Sequence, residues 1–373
     1  MHISKHNYAI ELERQGNSVY FMNPPNQRKD VKDYIITQID GFKQLFLIDS
    51  YLINNRGIDF LRLRLKITQI YDWLLLRIIK RITKKDKLFF DAIINFDTNL
   101  HGYFHLYPTQ KKIFFIADQI QNTSQTRSAK RADVVVSVAE EILGQFRSIN
   151  PNCLLVNHGI NKHYEDFANE NLQKLNSELL LDYNNKEINI GYIGNLLIPF
   201  LDEEGLKKIV LENPKVQFHF WGAYSTVNNN LLANYDVNIY NTIQYLKNNC
   251  TNTHFYGVKT TEEIIPELNK IDAFIYINSS LKDVNGGANS HKILEYLSTG
   301  KTIISTYLSF YANQNLFPLL QKGKEYTYVE EFNNSIKKLN VLNQKDVQVN
   351  RIQFVLKNTY CNNLNKILNY STN

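Results

Sequence analysis

The chain has 373 residues, more than one hydrophobic core normally serves, so two domains are expected. Its 43% hydrophobic and 21% charged residues exclude a disordered chain, and three cysteines without metal-ligand spacing, Cys153, Cys250 and Cys361, exclude a disulfide framework and a zinc site. No apolar run approaches the roughly 18 residues of a membrane-spanning helix, and no signal-peptide order opens the chain, so a cytoplasmic protein is expected.

An amphipathic helix is predicted from His2 through Leu12, with a stop at Gln15-Gly16-Asn17 and a short strand at Val19–Met22. Tyr34 to Asn54 reads as short strands and loops broken at Gly41. The net charge of +6 is concentrated. Between Arg56 and Lys87 ten basic residues stand against three acids, a local +7 that leaves −1 for the rest of the chain. On a helix from Phe60 to Lys84, one face carries Arg62, Lys66, Gln69, Trp73, Arg77, Lys80 and Lys84. Another carries Phe60, Leu63, Ile67, Ile70, Leu74, Ile78 and Ile82. A basic face with a Trp beside an apolar face suits a helix lying on an anionic membrane surface, and residues 56–87 are the expected contact. A core helix with a solvated charged side is the plainer reading of the same pattern. No nucleic-acid module accompanies the charge, so nucleic acid is not an expected partner.

Three buried strands follow, at Phe89–Asp97, Lys111–Asp118 and Ala132–Val138, the last leading into a helix from Ala139 to Ser148. Strands apolar on both faces that alternate with helices predict a parallel, doubly wound sheet, whose ligands lie beyond the carboxyl ends of its strands. Asn95, Asp97 and Asp118 fall there, with His101 and His105 close behind. Asp97 and Asp118 are the candidate general bases; capping and loop hydrogen bonding are the plain alternatives.

Leu154 to Tyr164 is a strand and turn containing His158 and Gly159, followed by a polar, loosely helical connector from Glu165 to Lys186. Ile188 to Asn195 is a strand into a glycine turn, where Gly191 and Gly194 let the backbone approach a ligand closely. Strands follow at Val216–Gly222 and Thr253–Val258, Thr260 to Glu263 has capping-box spacing, and Asp272–Asn278 is another strand. Next comes NGGANSHKILEYLSTGKTIIST, Asn285 to Thr306: a loop, a helix that Asn289 or Ser290 can cap, a stop at Gly300 and a strand at Thr302–Ser305. A helix start presents free N–H groups and a positive dipole end to a phosphate, Lys292 adds a full charge, and Glu295 could accept hydrogen bonds from vicinal hydroxyls.

The run from Lys292 through Glu295-Tyr296-Leu297 to Gly300-Lys301 resembles the donor-binding motif of the GT-B fold glycosyltransferases. The resemblance covers nearly the whole chain, most strongly residues 130 to 306. It implies an α/β, GT-B architecture: two doubly wound Rossmann-like domains facing across a cleft. Residues 1–160 would form the acceptor-side domain, with the first strand and turn that the family pattern places before His2 missing, 161–345 the nucleotide-sugar donor domain, and 346–373 a closing helix, from Val349 to Tyr370, that crosses back. Glu295 would then hold the donor ribose. Gly194, Asn195, Asn289, Ser290, His291 and Lys292 would surround the diphosphate, Tyr256, Gly257 and Val258 would frame the base, and His158 would border the cleft as a third catalytic candidate. Three departures stand out, the first being Thr302 where a Pro usually follows Gly-Lys. Gly287 occupies the position of a second Glu found in many retaining members, which leaves the stereochemistry open, and Leu196 and its neighbours replace the Arg and Lys that usually follow the glycine turn. With no Asp-x-Asp motif placed to bind diphosphate, no metal or other cofactor is expected. The activity implied is sugar transfer from a nucleotide-sugar donor to a glycan or lipid-linked acceptor in cell-surface polysaccharide synthesis, in the cytoplasm or peripherally on the inner face of the cell membrane. A nucleotide-sugar epimerase and a donor-binding subunit without turnover are the alternatives.

Overall fold

The computed structural model describes residues 4–26, 34–39, 42–48, 73, 76, 77, 80, 81, 84, 89–98, 107, 109–117, 123–177, 183, 186–225, 236–279, 282–283 and 287–371. The chain divides into two compact units, His2–Asn157 with Tyr360–Asn373, and His158–Thr359.

Among the described residues the first unit contains two sheets. Strands β1 (Tyr20–Asn26), β2 (Tyr34–Ile39) and β3 (Phe42–Ile48) form one, with β3 central, parallel to β1 and antiparallel to β2. The β1 register shifts between Asn23 and Asn26, because Pro24 and Pro25 have no N–H to give the ladder. Strands β4 (Ala92–Asn95), β5 (Lys111–Ile116), β6 (Val134–Ser137) and β7 (Cys153–Leu155) pair in that order, all parallel. Residues Ile113–Ile116 and Val134–Val136 are buried on both faces, as a covered parallel sheet requires. Tyr8, on the helix Ser4–Arg14, packs against Phe115 at 5.3 Å and Tyr360 at 4.8 Å between ring centroids, so residues from both ends of the chain close one core.

Three expectations are corrected here. The helix expected over Ala139–Ser148 is only Glu140–Leu143; from Gly144 onward bonds such as Phe146 N–H to the Leu143 carbonyl give successive turns. The connector after residue 160 is a well-formed helix, Lys162–Ser177, whose Tyr164, Phe167 and Ala168 are buried. The closing segment is two helices, Lys345–Leu356 and Tyr360–Leu368. They part because the chain at Asn358 and Thr359 pairs instead with Ile160, whose N–H donates to the Asn358 carbonyl at 3.0 Å. Of the helix expected over Phe60–Lys84, Trp73, Leu76, Arg77, Lys80, Arg81 and Lys84 are described. All are helical, Leu76 is buried, and the others are exposed. Arg77 holds its guanidinium 4.4 Å from the Trp73 ring centroid. Arg62, Lys66, Gln69 and the apolar partners Phe60, Leu63, Ile67, Ile70, Leu74, Ile78 and Ile82 lie outside the described residues.

The second unit is one five-stranded parallel sheet: β8 (Ile188–Ile193), β9 (Val216–Trp221), β10 (Thr253–Gly257), β11 (Ala273–Tyr276) and β12 (Thr302–Ser305). Its order, β10-β9-β8-β11-β12, reverses between β8 and β11, which is the switch point of a doubly wound sheet. Two cores flank it, one around Phe218, Phe220 and Leu206, the other around Phe274, Tyr296 and Ile352. The capping box forms as predicted, with Thr260 Oγ1 accepting from Glu263 N–H and the Glu263 carboxylate accepting from Thr260 N–H.

The amino-end side of this sheet is locked by buried polar groups. Asp272 accepts from the Asn189 N–H at 2.9 Å and pairs with Lys186 at 2.6 Å. Arg351, 1% exposed, donates to the carbonyls of Leu316 (2.7 Å) and Gly300 (3.1 Å), to Asn343 Oδ1 and to Thr302 Oγ1, and burial lowers its pKa to about 10. It therefore fixes the turn between the helix His291–Leu297 and β12. Arg351→Leu leaves buried carbonyls unpaired and should cost roughly 3 kcal/mol of stability in denaturant unfolding; a loss below about 1 kcal/mol would refute that role.

Candidate functional site

The site grows from the split between β8 and β11. These strands pair only at Ile190 and Gly191, so the end of β8 is open on that side. Tyr296 fills the opening: its hydroxyl accepts from the Ile193 N–H at 2.9 Å and donates to the Ile193 carbonyl at 3.0 Å. The ring stacks on Phe274 with centroids 4.5 Å apart. This ties the helix His291–Leu297 to the carboxyl end of β8, where a ligand of such a sheet binds.

Three glycines step across the ends of β8, β9 and β10. Gly194 N–H donates to the Trp221 carbonyl and Gly222 N–H to the Gly257 carbonyl, both at 2.7 Å. Gly222, at φ 142°, lies so close to the Gly194 carbonyl that a side chain there would collide with it. Asn195 is held by its own turn, with Oδ1 accepting from the Leu197 N–H at 2.9 Å.

Lys292 lies over this turn. Its Nζ donates to the Tyr192 hydroxyl at 3.2 Å and stands 4.8 Å from that ring's centroid. One turn along the helix, Glu295 faces the same region and acts electrostatically on Lys292 and on buried Tyr164. Burial lowers the Lys292 ammonium to about 8, against the pull of Glu295, and raises the Glu295 carboxyl to about 7, against the pull of Lys292. His291, beside them, is lowered to about 4 by burial and then by Lys292. His158 is lowered to about 3 by burial and then by the His291 ring, which meets it edge to face at 6.0 Å. His291 keeps an exposed edge and the other three are half-buried, yet the surrounding protein desolvates their charged forms. Both imidazoles are therefore neutral at physiological pH, which leaves Lys292 as the cationic side chain and Glu295 as the carboxyl opposing it.

The structure thus gathers His158, Gly194, His291, Lys292 and Glu295 in one unit. Ser290 occupies the N-cap position without a capping bond from its side chain, which interacts instead with the Tyr276 hydroxyl; Asn289 Oδ1 accepts from the Ser290 N–H at 2.7 Å. Gly287, at φ 71°, packs so tightly on the Tyr307 carbonyl that a side chain would not fit, so no Glu can stand there without moving the loop. Tyr256 belongs to a different cluster, stacked on Trp221 at 5.0 Å with its hydroxyl 2.8 Å from His219 Nδ1. Gly257 continues the glycine step, and Val258 is 75% exposed. In the other unit, half-buried Asp97 follows β4 and donates its N–H to Asn95 Oδ1 at 2.8 Å, the local loop bond weighed from sequence. Asp118, His101 and His105 lie outside the described residues. Tyr192, Tyr276 and Tyr296 were missed as site residues, since each reads as an ordinary strand or helix aromatic.

No protein-family model matches the chain, and no curated protein matches it. Solved structures do. A glycosyltransferase from Rickettsia africae is similar over 99% of this chain and 95% of that one, with a TM-score of 0.64 at 15% identity. A UDP-forming α,α-trehalose-phosphate synthase from Burkholderia xenovorans gives 0.65 at 10% identity, over 96% and 95%. Sucrose-phosphate synthase from Thermosynechococcus elongatus gives 0.63 at 11%, over 98% and 91%. Together with the parallel sheets and the strand reversal between β8 and β11, these similarities establish the GT-B fold.

The mutual coupling of the charged pair is testable without a ligand. Lys292 lowers the Glu295 carboxyl, so Lys292→Met should move the Glu295 titration above about 7, followed by carboxyl-carbon NMR; an unchanged or lower value would contradict the coupling.

Proposed function

We propose that this chain is a glycosyltransferase that moves a sugar from a nucleoside diphosphate sugar to an acceptor hydroxyl. The observation that carries the proposal is the Lys292 and Glu295 pair on one helix, tied by Tyr296 to the open end of β8 at the switch point. Lys292 supplies a desolvated positive charge for the diphosphate, and Glu295 accepts from the ribose hydroxyls. The two are charged together in the narrow range between about 7 and 8, and an incoming dianion extends it upward by favouring the ammonium. Above about 8 the free protein loses the Lys292 proton, so diphosphate affinity should fall there.

Departure of the nucleoside diphosphate leaves negative charge on its outer phosphate, where a fixed ammonium acts more strongly in a desolvated site than in water. Lys292 meets that need in our reading, so turnover should survive a chelator. Of the proton acceptors expected from the sequence, His158 is a weak base at about 3 and serves better as a neutral hydrogen-bond partner. Asp97 and Asp118 are left as candidate bases for an inverting reaction; a retaining reaction needs neither.

A uridine donor is the first to test, since similar structures include a UDP-forming synthase and a protein from E. coli bound with UDP-2-fluoro glucose. For the acceptor, the names of the trehalose- and sucrose-phosphate synthases suggest a sugar phosphate. The exposed basic row Arg77, Lys80, Arg81 and Lys84 with Trp73 supports instead the glycan or lipid-linked acceptor at an anionic membrane surface. Among the described residues no helix is long and apolar enough to cross a membrane.

Thermal unfolding across UDP, GDP, CMP and dTDP sugars should show stabilisation by one base, because a ligand that binds only the native state raises its stability. Glu295→Ala should weaken that ligand about ten- to a hundredfold, the worth of a charged hydrogen bond. Unchanged affinity in the folded variant would remove Glu295 from the site. Stabilisation without product from either acceptor class would favour the donor-binding subunit over the enzyme.

A further inference from the structure

Gly194 ends β8 at φ 146° and invites the reading of a glycine kept small for a ligand. The structure places something else there. Where its side chain would begin, the ammonium and ε-carbon of Lys292 already lie, so a Cβ there would displace the flexible end of that lysine. The rest of the surroundings hold the same ammonium. Tyr192, 1% exposed, offers both its ring face and its hydroxyl to Lys292, and that hydroxyl donates in turn to the Asn195 carbonyl at 3.2 Å. Tyr192, braced by the Asn195 carbonyl, thus holds in the space beside Gly194 a side chain that enters from a helix 100 positions later.

We propose that the space Gly194 leaves open, at a φ that itself calls for glycine, is filled by Lys292, and that Tyr192, Gly194 and Asn195 form a seat that presents this ammonium at a fixed point over the end of β8, toward the donor diphosphate. The last clause rests on the donor reading above; the seat itself does not. A free lysine loses rotamer freedom when it grips an anion, whereas a seated one has lost it already, so the arrangement lowers the ordering cost of binding. Tyr192 and Gly194 are positioning residues in this scheme, acting through Lys292.

The alternative, that Gly194 faces the ligand, predicts a different pattern in double-variant cycles. The first cycle needs no ligand: thermal unfolding of wild type, Gly194→Ala, Lys292→Ala and the double variant. Backbone strain from the positive φ is common to both backgrounds and cancels, while the collision with Lys292 occurs in one only. Gly194→Ala should therefore lower the melting temperature more in wild type than in Lys292→Ala, and equal losses would overturn the seat. Tyr192→Phe, which keeps the ring and adds no strain, carries the same cycle if Gly194→Ala fails to fold. The second cycle uses UDP affinity. Each single variant should weaken UDP, Lys292→Ala by about tenfold or more, and neither Gly194→Ala nor Tyr192→Phe should weaken it further once Lys292 is gone. A further loss of about tenfold would place Gly194 against the ligand and refute the proposal. If wild type binds no nucleoside diphosphate, the donor reading fails and the unfolding cycle alone decides the seat.

Discussion

The site of the second unit depends on one side chain, the Tyr296 hydroxyl, which bonds both backbone groups of Ile193. A doubly wound sheet must part where its strand order reverses, and parting leaves N–H and C=O groups without a ladder partner. Here the hydroxyl satisfies both at once. Because Tyr296 follows Glu295 directly and lies four residues beyond Lys292, that bond sets the rotation and height of both charged groups against the glycine turn. Phe274 stacks beneath the ring and keeps it upright.

The charges respond to that placement. A lysine and a glutamate three residues apart on an exposed helix would titrate as ordinary surface groups. Fixed at a crowded strand end, each is pushed toward its neutral form by desolvation and pulled back only in part by the other. The same crowding keeps His158 and His291 uncharged. The result is a region in which an ammonium and a carboxyl both titrate near neutral pH beside uncharged imidazoles.

The two ends of the sheet divide the work. At the amino ends, Asp272, Asn343 and Arg351 are buried and bonded to backbone groups of several strands and turns, so they hold the helix-turn-strand unit rigid from below. At the carboxyl ends, glycine turns and half-buried charges leave room for a ligand. A rigid base under a desolvated site is what fixed electrostatics requires, since donors that must reorganise lose much of their effect.

Much of this was legible in the residue order. Apolar strands alternating with helices dictated parallel sheets, the Thr260–Glu263 spacing dictated its capping box, and the Lys292 to Ser305 run dictated helix, stop and strand, because each is a local consequence of side-chain period and backbone preference. Helix ends were less so: the break at Asn358 and Thr359 arises from pairing with Ile160, nearly two hundred residues away, which no local pattern encodes. Lys292 and Glu295 could be named from sequence, but their altered protonation could not, since desolvation is set by the neighbours that tertiary packing brings. Gly194 shows the division most clearly. Its residue type announced a close approach, and only the folded chain decided that what approaches it is Lys292.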